Sequence, residues 1–134
     1  MEKNKIKNII SKWKPVLGLS DWDIKHKLIN QKQNEFKEQT AIAYIKYDCL
    51  RKMACIFVAK SKRVDRCKLE EVVLHEILHL RYYGVKECFD EIVNNYVRSK
   101  KTRKIYQEQL STRIEILIND TAKMLISGGK QNGV

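Results

Sequence analysis

LEEVVLHEILHLRYYG, residues 69–84, is the stretch from which the rest of this chain is read. Leu69, Val72, Val73, Leu74, Ile77, Leu78 and Leu80 cover nearly the full circumference of a helix, so the segment is expected to be buried rather than laid on a surface. It is expected to begin near Leu69 and to stop at Gly84, a residue suited to the left-handed position that ends helices. Inside this apolar setting sit His75, Glu76 and His79. Residues four apart share one helix face, so both histidines can aim a ring nitrogen at one ion. Glu76 projects beside that face, where it can take a proton from a water in an open coordination position. Two imidazoles and a carboxylate are costly in apolar surroundings unless they are paired or bind a metal. The competing reading is a core helix with two hydrogen-bonded histidines. The chain has only three histidines, and two of them flank a glutamate at metal-ligand spacing. That favours zinc.

A catalytic zinc site needs a third protein ligand. His26 is the remaining histidine, on a distant segment among lysines, whereas Glu87, Asp90 and Glu91 follow Gly84 directly. If a second helix, 86–98, folds back against the first around Val85, residues equidistant from the turn face each other. His79 then faces Glu91, and His75 faces Asn95. This makes Glu91 the expected third ligand, with Glu87 and Asp90 as alternatives. Asn95 is expected to accept the free ring N–H of His75. Ile92, Val93, Tyr96 and Val97 would pack that helix to the core.

Outward from these helices the pattern is mixed. NKIKNIISKWK (4–14) places Ile6, Ile9, Ile10 and Trp13 at helical spacing, ended by Pro15 and Gly18. DWDIKHKLIN (21–30) alternates as a half-exposed strand. TAIAYIKYD and KMACIFVAK read as an antiparallel hairpin turning at residues 49–51. QKQNEFKEQ (31–39) is expected to be a polar loop and SKRVDRCK (61–68) a basic one. Leu110, Ile114, Leu117, Ile118, Thr121 and Leu125 mark one face of a long helix over about 103–126. The expectation is one α+β domain over 1–126, with a sheet of about three strands followed by three helices, and a disordered tail at 127–134.

A chain of 134 residues with 43% apolar and 32% charged residues suits one soluble domain. No apolar run reaches the length of a signal peptide core or a membrane span, so a cytoplasmic protein is expected. Cys49, Cys55, Cys67 and Cys88 contain no CxxC pair and read as free thiols. The net charge of +11 would attract nucleic acid. Its lysine-rich character, without clustered arginine or a recognisable reading helix, leaves that partner possible but not favoured.

HEILH…DEIVNNY resembles the gluzincin pattern, H-E-x-x-H followed on the next helix by E-x-x-x-D. In that resemblance His75 and His79 match the histidine ligands, Glu76 the catalytic base and Glu91 the glutamate ligand. Asn95 stands where the family usually carries aspartate. The short spacing is similar to minimal zincin metallopeptidase domains of phages and mobile elements. The resemblance covers about residues 20–98. It implies a zincin-like fold, zinc as cofactor, peptide-bond hydrolysis, and an edge strand of the 40–59 hairpin that takes extended peptide by strand addition. Tyr82, one turn after His79, is a candidate for assisting an oxyanion. Three other functions compete. HEILHLRYYG also looks like the H-x-x-L-H-L stretch of zinc endoribonucleases that mature ribosomal RNA, but Val85 stands where they carry a third histidine. A SprT-like protease acting on nucleic-acid-bound proteins would reconcile motif and charge, but it needs a later histidine and none follows His79. A non-catalytic basic module braced by zinc would have no use for Glu76.

Overall fold

The computed structural model describes residues 2–29, 43–59 and 66–132. Both expected loops, 31–39 and most of 61–68, lie outside these residues. The described elements are helix α1 (Glu2–Val16), strands β1 (Asp23–Ile29), β2 (Ala43–Asp48) and β3 (Met53–Ala59), and helices α2 (Arg66–Tyr96) and α3 (Lys100–Asn132). The protein is α+β with a mixed three-stranded sheet. The chain divides into two compact units, residues 1–78 and 79–134. The boundary falls inside α2, which runs through it unbroken.

In the first unit, α1 buries Ile6, Ile10 and Trp13, one stripe at helical spacing, while Ile9 is half-buried. Its end is set by Gly18, at φ 71°. There the Gly18 N–H reaches the Pro15 carbonyl (3.2 Å) and the Leu19 N–H reaches that of Lys14 (2.8 Å), the paired bonds that close a helix around a left-handed glycine. Leu19 is buried directly after it.

β3 is the central strand, pairing antiparallel with β2 and parallel with β1. The expected hairpin is present, and among the described residues β2 is its edge strand. Its connection is shaped by Asp48, whose Oδ1 accepts the N–H groups of Leu50 (3.1 Å) and Arg51 (3.3 Å), and by Lys52 at φ 51°. The Lys52 carbonyl accepts the Asp23 N–H at 2.9 Å and its ammonium pairs with Asp21, so the turn also fixes the start of β1. Ala54, Ile56 and Val58 fill the core face of β3. Leu69, Val73, Leu74, Ile77 and Leu78 of α2 are buried too, with Val72 half-buried. α2 is tied to α1 by Glu70 Oε1, which accepts from Trp13 Nε1 (3.0 Å) and Lys12 Nζ (2.7 Å).

The second unit corrects four expectations. Gly84 does not end the helix; α2 continues to Tyr96, so there is no turn at Val85 and no separate helix over 86–98. A Cβ added at Gly84 would have nothing within 4 Å, so its glycine answers to no steric demand. Ile92 and Tyr96 are exposed, and only Val93 is buried among the four residues expected to pack that segment. α3 buries Ile114, Ile118 and Ala122, while Leu117 is 47% exposed. The expected tail is helical as far as Asn132.

Candidate functional site

The HEILH segment lies where α2 passes from the first unit to the second. His75 and His79 are both half-buried, and their ring nitrogens come within 4.8 Å of each other on one helix face. Glu76 is 8% exposed, the one buried charged side chain among the described residues, and it engages in interactions of its own. Burying a carboxylate is expensive unless it is paired.

The carboxylate beside His79 is that of Glu115, and the expected Glu91 is not brought to it. Glu91 lies twelve residues beyond His79 on the same helix, about 18 Å along its axis at 1.5 Å per residue. It is exposed and is not brought to the histidines, and the same holds for Asn95, one turn further away. Both assignments depended on a helix reversal that does not occur. Glu87 and Asp90, on the same continuous helix, fail for the same reason. Within the second unit, Glu115 of α3 stands against His79, with Oε1 3.0 Å from Nε2. His79 is 27% exposed there and Glu115 48%. No spacing within the sequence linked Glu115 to the histidines, since it lies 36 residues beyond His79 on another helix. Tyr82 is half-buried one turn after His79. His26 belongs to β1, where burial foremost, and then the ammonium groups of Lys3 and Lys7, hold its imidazole below the usual range against a hydrogen bond at Lys3 that raises it.

Two imidazoles and a carboxylate with an open fourth position form the donor set of a catalytic zinc site. His75 and His79 offer two imidazole donors from one helix, and Glu115 offers a carboxylate beside His79. Comparison of the chain with family models, curated proteins and solved structures gives no match. Cys55 and Cys88 are free thiols, and no described helix is long and apolar enough to cross a membrane.

Proposed function

We propose that this chain is a zinc-dependent metallopeptidase of zincin-like architecture, in which His75, His79 and Glu115 hold the metal and Glu76 is the general base. The observation that carries this reading is the Glu115 carboxylate 3.0 Å from His79, on a helix that offers a second histidine one turn earlier. When bound, zinc would lower the pKa of a water and polarise a substrate carbonyl. The protein's own residues supply the rest. Glu76, nearly withdrawn from bulk solvent, accepts the proton of the attacking water and returns it to the leaving amine. Tyr82, half-buried one turn after His79, would donate to the developing oxyanion. β2, the hairpin's edge strand among the described residues, would offer backbone groups to an extended peptide.

The test is metal analysis of the gently purified full chain, with hydrolysis of an unfolded, casein-like protein measured with and without chelator. About one zinc per chain and chelator-sensitive cleavage are expected. Glu76→Gln should keep the metal and lose cleavage. A chain that takes up no zinc would reduce His79–Glu115 to an ion pair and end the reading. Cleavage unchanged by Glu76→Gln would remove that residue from its role.

A further inference from the structure

The solvent face of the sheet carries a constellation that the metal reading leaves unused. Strand register aligns Lys25, Cys55 and Lys46 across β1, β3 and β2, and one step along aligns Lys27, Phe57 and Tyr44. All three lysines are exposed, and the three side chains among them are half-buried. Alternation explains the separation, since Ala54, Ile56 and Val58 of the same central strand point into the core. The rings of Tyr44 and Phe57 stack at 4.7 Å and 12°. Lys46 Nζ lies 5.9 Å from one ring centre and 5.6 Å from the other. The only acidic side chains on this face among the described residues, Asp23 and Asp48, sit together at the Met53 end, and Asp48 is engaged by the hairpin turn. Among the described residues the charged side chains at the aromatic end of this face are therefore all basic.

We propose that this face binds a single-stranded polynucleotide, with Lys25, Lys27 and Lys46 on the phosphates and the Tyr44–Phe57 stack as platform for an unpaired base. Three strands give a surface about 10 Å across, wide enough for a few nucleotides and too narrow for a duplex footprint. Aromatic rings on an open sheet reward exposed base faces, which a duplex hides and an acidic peptide lacks. The three ammonium groups converge on this patch closely enough that each works against the burial that raises the Cys55 thiol, with Lys27 the strongest of the three. The chain's net charge of +11 adds long-range attraction to the same polyanion.

The experiment is fluorescence anisotropy of the full-length protein with labelled dT12, U12 and a matched duplex, all in EDTA so that metal occupancy plays no part. Three phosphate contacts to a single strand predict a log–log salt slope of about −2, or roughly 20-fold weaker binding at 200 mM than at 50 mM salt. Phe57→Leu and Tyr44→Leu, each checked for an intact thermal transition, should weaken binding on the order of tenfold. Lys25, Lys27 and Lys46 changed together to Gln should remove most of the salt slope. The same charge removed by changing Lys100, Lys101 and Lys104 to Gln should leave affinity within about twofold. Tighter binding of U12 than dT12 would assign the site to RNA, and the reverse to single-stranded DNA. The proposal is overturned if both aromatic variants bind like the parent, if the two lysine triples weaken binding equally, or if the duplex or polyglutamate competes as well as the single strands.

Discussion

Gly84→Ala tests the feature on which the site assignment rests. If α2 is continuous, Gly84 is an exposed helix-interior glycine with nothing within 4 Å of its missing Cβ. Alanine there removes backbone freedom from the unfolded chain and adds no clash, a gain of about 0.8–1 kcal/mol. For a chain of this length that raises the midpoint of thermal unfolding by about 3 °C. If Gly84 instead closed a helix in a left-handed conformation, alanine would cost about 1 kcal/mol and lower the midpoint by a similar amount. The two arrangements differ in sign, so calorimetry or circular dichroism melting at fixed pH decides between them. A lowered midpoint would restore the reversal at Val85, bring Glu91 back toward His79 and refute the assignment of Glu115.

The other predictions follow from the same geometry. Glu115→Ala should weaken zinc affinity on the order of 100-fold in a competition titration, while Glu91→Ala should leave it within about twofold; the reverse order would return the third ligand to Glu91. Ile56→Ala, at a fully buried position on the central strand, should cost about 2–5 kcal/mol in urea unfolding, and a loss under 1 kcal/mol would mean the sheet's inner face is not packed. Because His26 is held below its ordinary pKa of 6.5, the unfolded chain takes up this proton first as pH falls. Its contribution to stability is therefore full above pH 6.5 and is lost as pH drops toward the folded-state value. His26→Gln should flatten the decline in urea midpoint between pH 7.5 and 5.5, and an unchanged slope would assign that decline to other groups. The Asp21 carboxyl, held down foremost by its hydrogen bond from Lys52, adds stability above pH 3.8 that is lost as pH falls through its lower folded-state value; Lys52→Met should abolish that acid limb.

Much of the fold was legible because local and long-range demands agree there. In α1 the spacing of Ile6, Ile10 and Trp13 meets a left-handed stop at Gly18, and in the hairpin alternation meets the turn chemistry of Asp48. Gly84 misled because glycine in a helix interior costs only about 1 kcal/mol relative to alanine. That is less than the continuing helix hydrogen bonds and the packing of Val93 return. The two histidines and Glu76 could be read from spacing within one turn. The place of Glu115 beside His79 could not, because it lies 36 residues further along on another helix, and spacing within a segment carries no information about which helices meet. Ile92 and Tyr96 were expected to be inside for being apolar, yet apolar side chains make up much of any protein's surface.

Central placement of β3 also bears on how the sheet assembles. The β2–β3 hairpin closes over four residues and belongs to contacts that form in about 1–10 μs. The β1–β3 ladder joins residues 30 apart throughout its length, from Asp23↔Met53 to Ile29↔Ala59. Its closure entropy must be met before any of its hydrogen bonds or core contacts form. Folding of the first unit is thus limited by the arrival of β1, and weakening that strand should slow folding. Loosening the hairpin turn at Lys52 acts on both steps, because the residue that closes the local turn also receives the first amide of the distant strand.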